Sequence, residues 1–332
     1  MSVGYQNQSS AWLFGGANIH WTGHGYGTLD GNGQAWYDFN NGASNYPRRP
    51  HQITIGNTTN SVFESINFLN SQMWTMTVIH SENITLQDIY VNSTSINNSS
   101  TDNTDCADTI YANNITFRRW VCDNGDDSIS QKANSTNILM EDCVFYNGDG
   151  IAIGSIGQYN DTFEYIQNIT ARNMTFYNTE YAAYIKSWTG TPTGAPPNGG
   201  GGGIGYASDI HLSDLKIYNK GAPFSFTQCV NYEGAHGNCD TSKFNIHDVT
   251  FENIRGTIAT QNVAVLQCSG NSTCHDIQIT DVRLSDSSNG TMPNGYLCSY
   301  VEDTVGFNCT GPVVGENDSI DPRGGTNVGT PP

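Results

Sequence analysis

Residues 114–124 read NITFRRWVCDN and residues 137–147 read NILMEDCVFYN. In both, apolar side chains alternate with polar ones between an opening and a closing Asn, the period of a strand with one buried face. The same segment occurs eight times, starting at Asn60, Asn83, Asn114, Asn137, Asn168, Asp209, Lys243 and Asp276. Repeats of roughly 20–50 residues with strand periodicity predict a β-solenoid, in which each unit buries its apolar face by stacking on the next. The expected fold is all-β, a right-handed parallel β-helix, running through residues 1–332 as one domain. A β-sandwich also alternates. It does not account for one segment returning with the same terminal Asn, a residue that can turn the chain and stack on its equivalents.

Composition narrows the partners. The 332 residues carry 13 Lys and Arg against 31 Asp and Glu, a formal net charge of −18. So few cations cannot line a phosphate backbone, which excludes nucleic acid. Aromatic residues at 11% and apolar residues at 36% suffice for a sizeable core and argue against disorder. No apolar run approaches the roughly eighteen residues of a membrane-spanning helix, so no membrane partner is expected.

Nine Cys are present, and Cys229/Cys239, Cys268/Cys274 and Cys298/Cys309 would each close a small loop if oxidised. Such pairs point to an oxidising, extracellular setting. Cys122 and Cys143 lie in consecutive repeats, close to one coil apart, so a bridge between coils is expected there, with Cys106 left as the odd thiol. Asn-x-Ser/Thr sequons at Asn57, Asn83, Asn114, Asn134, Asn168, Asn173, Asn271 and Asn308 agree with a secreted glycoprotein.

In a solenoid, one coil of sequence becomes one strand spacing in space, about 4.8 Å. Asp126 follows Asp105 by about one coil of sequence, and Asp149 follows Asp126 likewise; Asp126 and Asp149 share the same offset from the repeat starts at Asn114 and Asn137. Asp105, Asp126, Asp127 and Asp149 are therefore expected on one face across three coils. A lone Asp here would read as a turn cap. Stacked carboxylates instead raise one another's pKa, which is how a site keeps both a protonated acid and an ionised base. Paired carboxylates of this kind hydrolyse glycosidic bonds. The rival is a calcium site on the same oxygens, working with a base as a lyase.

Asn103-Thr104-Asp105, Gly125-Asp126-Asp127, Gly154-Ser155-Ile156-Gly157-Gln158 and Ile185-Lys186, preceded by GTLDGNGQAWY at residues 27–37, resemble in order and spacing the polygalacturonases of glycoside hydrolase family 28. The resemblance runs from about residue 11 to residue 285, and Lys132-Ala133-Asn134 after the Asp pair is similar to the fungal exo-acting branch. It implies a secreted hydrolase of pectic polysaccharide or oligogalacturonide, inverting, needing no cofactor or metal, and acting as a monomer. Asp126 would protonate the leaving oxygen, Asp105 and Asp127 would position and deprotonate water, and Asp149 would complete the acidic group. Asn103, Tyr184, Lys186 and Tyr232 would contact sugar. Inversion asks for roughly 6.5–9.5 Å between acid and base, a gap expected here between acids displaced sideways on adjacent coils.

Two positions depart from the family. Asp149 stands where it has His, adding negative charge that should raise the pKa of its neighbours. Tyr184 stands where it has Arg, removing a bidentate carboxylate clamp but offering a ring to a neutral sugar, while Lys186 remains as a cationic contact. Removal of terminal galacturonic acid from polygalacturonate is the first reading, exo-hydrolysis of rhamnogalacturonan the second, and an inactive pectin binder the third. Insertions at residues 92–102 and 189–205 are expected to wall off one end of the cleft. The glycines at 199–203 read as a rim loop, and none of the eight His forms a metal-binding pair. The stretch before the motif at Gly27 is shorter than the family carries, so a trimmed chain of poor solubility is expected.

Overall fold

A computed structural model of the chain describes residues 1–40, 42, 48–194, 199–230 and 238–313. Its strands are parallel and form two sheets, one of ten strands and one of fifteen, wound as a right-handed β-helix. Among the described residues, helix is confined to Gln34–Asn40 and a single turn at Cys239–Thr241, and no helix is long and apolar enough to cross a membrane.

Local backbone chemistry explains the repeat. Asn60, Asn83, Asn114, Asn137, Asn168, Asp209, Asp248 and Asp276 all adopt left-handed backbone, with φ of 50–59°. Five residues later a second bend recurs at Ser65, Asp88, Arg119, Asp142, Asn173, Asp214, Asn253 and Asp281, with φ of 49–59°. Asn and Asp tolerate this conformation because their short polar side chains bond locally. The expected Asn stacking is most extensive at the opening residue: the Nδ2 atoms of Asn83 and Asn114 donate to the Oδ1 atoms of Asn60 and Asn83, at 3.0 and 2.7 Å. The ladder continues from Asn168 to Asn137 at 2.6 Å. The closing Asn contributes one such step, Asn178 to Asn147 at 2.6 Å.

In the seventh copy the register differs from the expected one. Val249 pairs with Ile210 and Ile277, so the unit opens at Asp248 rather than at Lys243. Apolar alternation runs through both windows, and the left-handed Asp decides between them.

Between the bends, inward side chains form columns. Ile84, Ile115, Ile138, Ile169, Ile210, Val249 and Ile277 stand in continuous register and are buried in the main core. Burying each such side chain contributes about 1.5–3 kcal/mol.

The ten-stranded sheet positions the site. Its strands Met76–Ile79, Ala107–Ile110, Asp127–Gln131, Gly150–Ile156 and Ala183–Ser187 are consecutive neighbours. Met76, Ala107, Ile129, Ile151 and Ala183 point into the core, so by alternation Thr77, Asp108, Ser130, Ala152 and Tyr184 form the outward column.

Disulfides join Cys229 to Cys239, Cys268 to Cys274 and Cys298 to Cys309, as expected. The expected Cys122–Cys143 bridge is absent: both are buried thiols, as is Cys106. Register is the reason. Cys122 stands opposite Phe145, whereas the Cys143 Sγ is held by the Glu141 carbonyl at 3.3 Å. The neighbour of Cys122 is Cys106, whose thiol is pushed well up by burial and by contact with Cys122.

Candidate active site

Asp105, Asp126 and Asp149 lie on three successive coils, each one or two residues before the start of a strand of the ten-stranded sheet. The backbone stacks them: Cys106 N–H donates to the Asp127 carbonyl at 3.1 Å, and Asp149 N–H to the Asp126 carbonyl at 2.8 Å. Close approach demands glycine beside them. A Cβ on Gly125 would fall 2.0 Å from Thr101 Oγ1, and one on Gly148, whose φ is +58°, would fall 2.3 Å from the Asp126 carbonyl. Asn124 fastens the turn, its Nδ2 donating to the carbonyls of Asp126 and Asp127, each at 2.9 Å, and of Thr104 at 3.2 Å.

Asp105, Asp126 and Asp127 each bring one carboxylate oxygen to within 4.8 Å of the others, and all three are buried. These oxygens are closer than the expected acid–base gap. Asp149 joins them through the backbone bond. The same three oxygens form a set to which a hard cation would be suited, and Lys186 already occupies one side of it.

Asp126 Oδ2 accepts from the backbone N–H of Asn103 at 2.9 Å and from its amide at 3.4 Å, while Oδ1 accepts from Asp127 N–H at 2.9 Å. Asn103, expected to hold substrate, thus orients a carboxylate. Lys186 Nζ lies 3.1 and 3.3 Å from the two Asp127 oxygens and donates to the Tyr184 hydroxyl at 2.7 Å. The Tyr184 hydroxyl in turn donates to Asp127. Its ring, buried against Tyr181 at 4.8 Å, presents no face to a sugar. Tyr232 lies outside the described residues.

Three further charged groups escaped the sequence reading. Asp108 sits three residues beyond Asp105, with Lys132 Nζ 3.2 Å away. Burial pushes its carboxyl from the ordinary 3.8 to about 7, although Lys132 opposes the rise. Burial, then Asp108, Asp126 and Asp127, hold Asp105 well above the usual carboxylate range. Lys132 lies over the Trp74 ring at 4.7 Å; burial pulls it down, but Asp108 and Asp127 keep it above its ordinary value. Arg49 donates to the Gln72 carbonyl, and burial lowers it to about 10 while Tyr37, Asp102, Asp126 and Asp105 oppose the change. No motif marks Asp108 or Arg49, and Lys132 was read only as part of the stretch that resembles the exo-acting branch. The available signal was a charged residue, Asp108, inside a strand otherwise patterned for burial.

Burial and the neighbouring carboxylates favour the protonated form of Asp105, while Lys186 and Tyr184 donate to Asp127 beside it. Such a grouping can serve as an acid–base pair for hydrolysis of a glycosidic bond. Of the expected insertions, residues 92–102 pack on the short helix, with Asp38 accepting from Asn97 Nδ2 at 2.9 Å and Ser99 Oγ at 2.8 Å. The other is fastened at Thr189, 3.0 Å from Thr241.

The chain is 52% identical over 314 residues to the α-L-rhamnosidase rgxB of Aspergillus niger, covering 94% of this chain and 73% of that one. A putative galacturan 1,4-α-galacturonidase A of Aspergillus flavus is 35% identical over 322 residues, covering 87% and 72%. In fold it is similar to the endo-xylogalacturonan hydrolase of Aspergillus tubingensis, with a TM-score of 0.74 at 21% identity over 93% of this chain and 82% of that one. The glycosyl hydrolases family 28 match spans residues 2–309, the stretch that carries the coils and all the buried acids. The chain therefore belongs to glycosyl hydrolases family 28 and is an O-glycosyl hydrolase.

Proposed function

We propose that this hydrolase is exo-acting on pectin and removes a terminal α-L-rhamnose from rhamnogalacturonan. The observation that carries the reading is the engagement of Lys186. Its ammonium, expected to meet an acidic sugar, is taken up by both Asp127 oxygens and by Tyr184. Lys132 is likewise held at Asp108, and Arg49 is buried against Gln72. A uronic acid at the cleaved bond needs a cation at its carboxylate; a neutral deoxysugar does not. The relative at 52% identity, itself an α-L-rhamnosidase, supports the same choice. The three disulfides support action outside the cell.

In this reading Asp126, the most exposed of the three clustered acids, delivers a proton to the leaving oxygen. Asp127, held by Lys186 and Tyr184, takes the proton of the attacking water that Asp105 helps to orient; inversion is carried over from the family resemblance, since these oxygens lie closer together than an inverting pair ordinarily does. Release of galacturonic acid from polygalacturonate is the competing reading, favoured by the galacturonidase-named relatives. Chromatography of products from rhamnose-ended and galacturonate-ended oligomers separates the two, and NMR of the first-formed anomer tests inversion. Free rhamnose of inverted configuration is expected. Galacturonic acid from the second substrate alone would overturn the substrate, and a retained anomer would overturn the assignment of roles.

A further inference from the structure

We propose that Cys106 and Cys122 are joined in the oxidised protein by a further disulfide, a clasp that ties the strand entry beside Asp105 to the turn carrying Asp126 and Asp127. The clasp lies beneath the acids whichever sugar they cleave.

Hydrogen bonds at the corner between the two sheets bring the segments together. Asn124 Nδ2 donates to the Thr104 carbonyl at 3.2 Å, and Gly125 N–H donates to Thr104 Oγ1 at 3.0 Å. From that junction, two residues along one segment lead to Cys106 and two residues back along the other lead to Cys122. Both side chains face the interior, where they are 0% exposed and belong to the same apolar cluster. A disulfide asks for Cα atoms about 4.4–6.8 Å apart with the Cβ atoms turned toward each other, an arrangement open to two inward side chains on segments that meet at a corner.

The remaining thiol is turned away from the pair. Cys143 Sγ donates to the Glu141 carbonyl at 3.3 Å and lies 3.9 Å from the Phe117 carbonyl oxygen. Burial, and then contact with Cys122, push the Cys106 thiol well up, so in the closed fold the pair is unreactive as thiolates. The bond therefore forms as the chain folds, under the conditions that close Cys229–Cys239, Cys268–Cys274 and Cys298–Cys309.

The step is thiol–disulfide exchange with a small-molecule disulfide such as glutathione disulfide. One cysteine thiolate attacks the oxidant and displaces a glutathione thiolate; the second attacks the mixed disulfide and displaces the other. Two S–H bonds break and one Sγ–Sγ bond forms, while the oxidant takes up two electrons and two protons and leaves as two thiols. The product holds the acids' surroundings in place: Asp105 directly precedes Cys106, and Asn124, two residues after Cys122, donates to the carbonyls of Asp126 and Asp127. Closing the loop of residues 106–122 also removes freedom from the unfolded chain.

The test is peptide mass spectrometry on the folded wild-type chain, refolded with reduced and oxidised glutathione, alkylated in denaturant without reductant and then digested. The expected result is a cross-linked peptide pair holding Cys106 and Cys122, with Cys143 alkylated. Alkylation of both Cys106 and Cys122, or a link from either to Cys143, would overturn the clasp. Thermal midpoints of Cys106→Ala, Cys122→Ala and the double variant give a second readout. Loss of a clasp of this loop length lowers the midpoint by ~5 °C, and each single variant should show the whole loss, because one thiol closes no loop; the double variant should then melt with the singles. Losses that add in the double variant would show two cysteines acting as separate packing residues and would overturn the clasp. If a variant fails to fold, the wild-type cross-link decides the matter.

Discussion

Replacing Lys186 by Met takes the ammonium away from Asp127 and leaves the Tyr184 hydroxyl as the donor at that carboxylate. The pair is almost completely buried, with side chains 6% and 1% exposed. Removing one partner of a buried ion pair costs about 3–5 kcal/mol, because the remaining charge stays desolvated. The surviving Tyr184 bond puts the expectation near the lower end, ~3 kcal/mol at pH 7. The assay is guanidinium denaturation of wild type and Lys186→Met at pH 7. A loss under ~1 kcal/mol would refute the ion-pair account.

Asp108 makes wild type less stable as pH rises. Its carboxyl is raised from 3.8 to about 7, so the folded chain holds a proton the unfolded chain has lost; the stabilisation is full below pH 4 and fades toward pH 7, by up to ~4 kcal/mol. Asp108→Asn should lack this slope in pH-dependent denaturation, and parallel curves would contradict it. Asn124→Ala removes the amide shared among the carbonyls of Thr104, Asp126 and Asp127. It should cost ~1–3 kcal/mol and lower kcat at temperatures where the protein stays folded; unchanged kcat would mean that the turn does not set the acids' geometry. Chelator should leave the rate unaltered and products should lack the ultraviolet absorbance of an unsaturated sugar, whereas lost activity would point to a cation on the three Asp oxygens.

The coils were legible because each presents apolar residues at period 2 between Asn or Asp residues able to adopt left-handed backbone. Alternation alone could not place the seventh copy, where two overlapping windows satisfy it and Asp248 decides. Asp105, Asp126 and Asp127 were legible because a coil of sequence collapses to one strand spacing. The company they keep was not. Register shifts at Asp127/Ile129 and Gly154/Ile156 alter which residues share a column, so the convergence of Tyr184 and Lys186 on Asp127 needed three dimensions. Arg49 and Trp74 come from stretches that carry no motif, and Asp108 lies just beyond one. Cys122 and Cys143 misled because their separation in sequence matches a coil while their register does not.

The most direct test of the central claim, that the buried aspartates form one hydrolytic unit with Asp126 delivering the proton, is the initial rate of monosaccharide release by wild type and Asp126→Asn. Both should be assayed on the same rhamnose-ended oligomer, with matched thermal midpoints establishing that the variant is folded. Loss of a general acid predicts a fall of ~10²–10⁴-fold in kcat; a folded Asp126→Asn enzyme releasing sugar within a few-fold of the wild-type rate would contradict the account.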